Sequence, residues 1–193
     1  RVGGDLAYIR FLKGDEDGAL AAQDEILTRV PDNIDALGAT AYLELMAGNE
    51  TRARELLQKM MTPEPGAEAW RVTDVNIESA PYYSFVLYNA DEKDQAREVS
   101  QAILAKMDAA ERGGARHRWL HINRALARGA MGEREAAIAA LRAAAETGWP
   151  GTIYLEHDPI LNTLRDDLGY IALLDELRAK REAQLESLLA EGI

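Results

Sequence analysis

The stretch Gly14–Pro31, GDEDGALAAQDEILTRVP, decides how the chain is read. Gly14 supplies a turn. The residues after it run at helical spacing, with Ala19 early and Ile26 and Leu27 late, until Pro31-Asp32-Asn33 stops the run. The same punctuation returns from Gly48 as GNETRARELLQKM, with Ala53 in the place of Ala19. The step from Gly14 to Gly48 is 34 residues. At that period two antiparallel helices make one unit that stacks on the next.

The rest of the chain follows the plan. Leu6, Ile9 and Leu12 belong to the helix before Gly14, which closes a first hairpin over 1–33. A second covers 34–63, with Ala36, Leu37, Ala41, Leu45 and Met46 on one helix and Leu56, Leu57 and Met60 on the other. Pro63 and the Pro-Gly at 65–66 end it, and 64–76 read as an insertion in which Ala69-Trp70 and Val72 could form a short helical turn. The third hairpin spans 77–107, its first helix loaded by Tyr82, Tyr83, Phe85, Val86 and Tyr88. Asp91 takes the turn position there, being more tolerant of left-handed backbone than most residues. The fourth spans 115–147 and turns at Gly132. Beyond Trp149-Pro150-Gly151 the plan stops. Asp158-Pro159 reads as a helix start, and a last helix from about Leu168 carries Ile171, Leu174 and Leu177. Residues 150–193 are expected to cap the stack.

Composition narrows the function. The 193 residues hold 22 Lys and Arg against 33 Asp and Glu, a net charge of −11. That balance offers no footprint for a phosphate backbone or an anionic membrane, and it favours basic or neutral protein partners. The absence of cysteine removes disulfides, thiolate metal sites and cysteine nucleophiles. No apolar run approaches the roughly 18 residues of a membrane span, and no signal peptide is present, so both cytoplasm and periplasm remain open. The start at Arg1, almost at a repeat turn, is read as a piece of a longer protein.

Over residues 1–149 the chain resembles the tetratricopeptide repeat family. Its small first-helix residue is matched by Ala7, Ala41, Ser84 and Ala125, and its small second-helix residue by Ala19, Ala53, Ala96 and Ala137. The consensus Trp slot instead holds Gly3, Leu37, Ala80 and His121, and the consensus Tyr slot Arg10, Glu44, Leu87 and Arg128. The resemblance implies an all-α fold: a right-handed superhelical solenoid of helix-turn-helix repeats with C-terminal capping helices. The run Leu155-Glu156-His157-Asp158-Pro159, continuing through Leu161 and Leu164 to Leu173-Leu174, is similar to segments that end such repeat regions in bacterial signalling proteins. These include winged-helix transcription regulators, nucleotide cyclases and serine/threonine kinases. It departs from them at Leu168-Gly169-Tyr170, where they carry Pro-Arg-Phe.

No nucleotide loop, nucleophile elbow or zinc-protease helix occurs. His117 and His121 in HRWLH share a helical face at i, i+4, where two imidazoles could hold a metal. The plainer reading places them packed or exposed beside Trp119, and no metal or cofactor is expected. Some members of the family clamp acidic chaperone tails with Lys and Asn. Here the matching slots hold Gly4, Tyr8, Asp35, Gly38 and Ala39, none basic, which argues against that role.

In this family first-helix side chains line the concave wall. Carried over, one row is Tyr8, Tyr42, Phe85 and Leu126, and its neighbour is Phe11, Leu45, Tyr88 and Gly129, with Trp119 and Ile122 extending the wall. Six of these ten are aromatic in a chain with 6% aromatics, which marks them as contact residues. The alternative is that they are core, or covered by the chain's own C-terminal helix. The expectation is a non-catalytic module that binds a protein or peptide, apolar with basic flanks, as the C-terminal region of a larger bacterial regulatory protein. The other readings are a self-association module forming a homodimer and an accessory domain of an enzyme whose catalytic part lies upstream.

Overall fold

A computed structural model describes residues 2–61, 71–149 and 151–191, with the backbone alone for 2–5 and 152–154. Helices account for all regular structure among the described residues: α1 (Val2–Leu12), α2 (Glu16–Arg29), α3 (Ile34–Met46), α4 (Glu50–Met61), α5 (Ala80–Asn89), α6 (Lys93–Arg112), α7 (Arg118–Ala130), α8 (Arg134–Glu146), α9 (Thr152–His157), a 3₁₀ turn (Leu161–Leu164) and α10 (Leu168–Ala190). They form two compact units, residues 1–103 and 104–193, and the division falls within α6.

Four hairpin turns are built alike. Gly14, Gly48, Asp91 and Gly132 all adopt positive φ, at 86°, 81°, 64° and 70°. At each, the turn residue's N–H donates to the carbonyl three residues back, as in Gly48 to Leu45 (3.1 Å) and Asp91 to Tyr88 (3.1 Å). The next N–H donates to the carbonyl five back, as in Asn49 to Glu44 (2.8 Å) and Glu92 to Leu87 (2.9 Å). This pair of bonds satisfies the carbonyls a helix end leaves open, and it needs a left-handed residue at its centre. Asp91 therefore fills the position expected of it. Asp91→Ala should cost about 1 kcal/mol, read as a lower urea midpoint, because alanine lacks the side chain that eases left-handed backbone.

The turn sets the packing. Seven residues before it lie Ala7, Ala41, Ser84 and Ala125, and five after it Ala19, Ala53, Ala96 and Ala137; all eight are at most 1% exposed. Each second-helix alanine donates its N–H to the residue that follows the turn, as Ala53 does to Asn49 (3.1 Å) and Ala96 to Glu92 (3.0 Å). It therefore sits on the first turn of its helix, where the two helices come closest and only a small side chain fits. Ser84 replaces alanine without leaving a buried hydroxyl unsatisfied: its Oγ donates to the Ala96 carbonyl (2.8 Å) and lies 2.8 Å from Ser100 Oγ.

Within residues 1–103, α1 packs on α2 and α3, α2 on α3, α3 on α4, and α4 on α5. Where the consensus Tyr is missing, polar chemistry replaces it. Glu44 is buried and accepts from Asn49 Nδ2 (2.8 Å) and pairs with Arg52 Nε (2.7 Å), while Arg52 also reaches Asp24 (2.5 Å). Most of the insertion, 64–70, lies outside the described residues. Past it, the buried Asn76 side chain accepts from the Thr73 N–H (2.8 Å) and donates to the Arg71 and Met60 carbonyls, which pins 71–79 to the end of α4. Val72, expected in a helical turn, lies in irregular backbone.

Within residues 104–193, α7 packs on α8, and the C-terminal segment folds back over both. Asp158 is the helix start that the sequence indicates: its buried Oδ1 accepts from the Ile160 and Leu161 N–H groups (2.9 and 3.1 Å). α10 buries Tyr170, Leu173 and Leu177. The stripe thus runs one position earlier than the expected Ile171–Leu174–Leu177, because Tyr170 also brings a hydroxyl that donates to the Leu155 carbonyl (2.5 Å). Ile171 is left 39% exposed. Residues 178–191 are exposed throughout, so the covering role falls to the first half of α10 with α9 and the 3₁₀ turn.

Candidate functional site

The first helices of unit 1 carry a row of tyrosines. The rings of Tyr8 on α1 and Tyr42 on α3 lie 5.9 Å apart between centroids, tilted by 53°. Tyr42 and Tyr82 on α5 lie 5.3 Å apart, edge to face at 73°. These are the offset and T-shaped geometries that aromatic quadrupoles prefer. All three residues are half-buried, as are Phe11 and Tyr88. The hydroxyl ends of Tyr8 and Tyr42 are shielded from solvent, so what these residues offer outward is ring surface.

Tyr82 is the member that slot-by-slot counting does not find. Counting back from the turn at Asp91 reaches Phe85, which is 9% exposed. The ring that meets Tyr42 sits one helical turn earlier, next to Pro81 at the start of α5. The signal available was only that Tyr82 and Phe85 share a face at i, i+3. Of the neighbouring row, Phe11 packs with Tyr8, Leu20 and Met46 against Ala7, Ala19 and Leu43. Leu45 is 6% exposed. Tyr88 lies under the Lys93 ammonium, 5.8 Å from the ring centroid, a cation–π contact across the hairpin turn.

The remaining candidates belong to unit 2. Ile122 and Leu126 are 5% and 7% exposed, whereas Trp119 is 39% exposed. Gly129, the last slot of the second row, faces the chain's own C-terminal segment: a Cβ there would lie 2.8 Å from Ile160 Cγ2. On α7, then, this position is closed by residues 155–164. His117 and His121 do not form a ligand set. His117 Nδ1 caps α7 by accepting the Trp119 N–H (3.3 Å), and no group of three or more His, Asp or Glu placed to hold a metal occurs among the described residues.

Electrostatics differ between the units. Residues 1–103 hold 10 Lys and Arg against 19 Asp and Glu, a net −9, whereas 104–193 hold 12 against 14, a net −2. The tyrosine row therefore lies in an acidic body. No helix among the described residues is long and apolar enough to cross a membrane.

No family model and no curated protein matches the chain. Among solved structures it is similar to the crystal structure of MamA, at 18% identity over 93% of this chain and 96% of that one, with a TM-score of 0.43. A MamA RS-1 ArsTM double mutant is similar at 16% identity over 93% of this chain and 94% of that one, with a TM-score of 0.44. A further MamA crystal structure matches at 20% identity over 96% and 89%, with a TM-score of 0.44. Likeness at this level carries no conclusion about function.

Proposed function

We propose that this chain is a non-catalytic docking module, and that the tyrosine row of unit 1 takes a protein or peptide segment with apolar anchors and basic flanks. The observation that carries the reading is the Tyr8–Tyr42–Tyr82 ladder, three partly exposed rings in mutual contact on successive first helices. Aromatic rings fixed by each other have few rotors left to freeze, so they give contact area at low entropic cost. Apolar anchors fit because ring surface rather than hydroxyl is presented. Basic flanks fit because the body around the row carries −9. Phe11, Leu45, Phe85 and Tyr88 form the floor and rim of the same surface. The resemblance of the 155–174 run to the ends of bacterial signalling repeat regions favours a place in a larger regulatory protein.

The test is an array of peptides carrying leucine or aromatic anchors between Lys or Arg flanks, probed with the parent chain and with Tyr42→Ser/Tyr82→Ser. Capture should fall by about thirtyfold, as when a hot spot is removed, with the helical circular-dichroism signal retained. Tyr88→Ser, at the rim, should give a smaller loss. Equal capture by the parent and by the folded double variant would overturn the reading, as would an array on which the parent binds nothing.

A further inference from the structure

Two surface features of unit 2 have no role in the covering of α7 and α8. The first is a run of cations. From Arg112 to Gly132 the chain holds five arginines and no acid, although the whole chain has 33 acids to 22 bases. Arg124 and Arg128 of this run are paired, with Asp108 and Glu111 (2.8 and 2.6 Å) and with Glu133 (2.5 Å). Arg112, Arg116 and Arg118 form no ion pair among the described residues; Arg116 donates instead to the backbone carbonyls of Glu111 and Ala115 (3.0 and 2.9 Å). All three are exposed, and beside them stands Trp119, 39% exposed. The nearest carboxylates, Asp108 and Glu111, are already engaged by Arg124.

The second feature is the far half of α10. Leu185, Leu188 and Leu189 are 56%, 46% and 66% exposed. Residues 182–191 carry Glu182, Glu186 and Glu191 and no cation. Helical spacing puts Leu185 and Leu189 one turn apart, and Glu182 and Glu186 likewise, so the two carboxylates border the leucine face. An exposed apolar patch rimmed by charge marks an interaction site rather than ordinary surface.

We propose that these two surfaces bind each other between copies: the 182–191 segment of one chain docks on Arg112, Arg116, Arg118 and Trp119 of a second. The chemistry matches on both counts. The leucines need an apolar counterpart, and Trp119 with the arginine stems supplies one. Glu182 and Glu186 need cations, and the unpaired arginines supply them. Nucleic acid or an anionic membrane would meet the same arginines but would be repelled by the chain's net −11. Each copy carries both halves, so a two-fold pair makes the contact twice. A surface this small implies weak, concentration-dependent association. The proposal is independent of the tyrosine row.

Light scattering and sedimentation equilibrium over a concentration series test it. The parent should rise from monomer towards dimer mass. Arg116→Glu/Arg118→Glu should raise the dissociation constant about tenfold or more, and so should Glu182→Arg/Glu186→Arg. An equimolar mixture of the two charge-reversed chains should recover association, because each then supplies the half that complements the other. Leu185→Ser/Leu189→Ser should weaken it as well, and Trp119 fluorescence should respond to concentration in the parent only. A monomer at every concentration overturns the proposal. So does undiminished association of Arg116→Glu/Arg118→Glu, or failure of the mixture to recover when both variants are folded. Peptide capture by the tyrosine row should be unchanged in Arg116→Glu/Arg118→Glu, so failure of one proposal is distinguishable from failure of the other.

Discussion

Tyr170→Ala should destabilise residues 104–193 by about 3–5 kcal/mol. Tyr170 is fully buried, at 0% exposure, and it is among the largest side chains so enclosed. It lies on the first half of α10, which packs on α8 and α9. Removing the ring leaves a cavity between these elements, and it also orphans the Leu155 carbonyl that accepts the Tyr170 hydroxyl (2.5 Å). Burial pushes the Tyr170 hydroxyl far above its ordinary value, so it stays a donor through the neutral and mildly alkaline range. Tyr170→Phe separates the two contributions: it keeps the ring and should cost about 1–3 kcal/mol through the unsatisfied carbonyl alone. Urea denaturation followed by circular dichroism reads both. Were Tyr170→Ala to unfold at the parent's midpoint, the first half of α10 would not be the cover it is taken to be. The same experiment on Leu188→Ala should show almost no change, because that residue is 46% exposed.

Ala96→Leu should cost about 1–3 kcal/mol, and more if α5 and α6 cannot separate. Ala96 is 0% exposed and lies on the first turn of α6, where its carbonyl accepts from Ser84 Oγ (2.8 Å). Three added carbons have nowhere to go but into α5. They would force the helices apart and strain the Ser84–Ala96–Ser100 contacts at the same point. Ser84→Ala in the parent gives the reference, since it removes the hydroxyl without adding volume. For a chain of this length each 1 kcal/mol lowers the melting temperature by about 2–4 °C. Ala96→Leu melting within a degree of the parent would mean that the third hairpin is not closed at its small residues. Ala53→Leu should behave alike, because Ala53 occupies the same slot at 0% exposure.

The hairpins were legible in the sequence for a local reason. A turn that needs positive φ draws Gly14, Gly48 and Gly132, with Asp91 as the tolerated substitute. The distances from that turn to the closest helix approach are fixed by helical rise and pitch. Small residues seven before and five after it were therefore sufficient to place eight buried contacts. The start at Asp158 was legible for the same reason, since an N-cap acts within three residues.

What only the tertiary structure decided involves contacts distant in the chain. Tyr82, not Phe85, meets Tyr42 edge to face, and that depends on how far α5 slides along α3 after an insertion that no helical period governs. Gly129 is filled by Ile160, and Tyr170 rather than Ile171 turns inward, because both positions answer to a segment folding back from beyond the repeats. The sequence by itself determined the repeat unit, its turns and its small-residue contacts, since those follow from backbone conformation over a dozen residues. Which aromatic rings stay accessible and which are covered depends on the docking of helices separated by tens of residues. Helical periodicity puts a side chain on a face, and only packing decides what stands opposite that face.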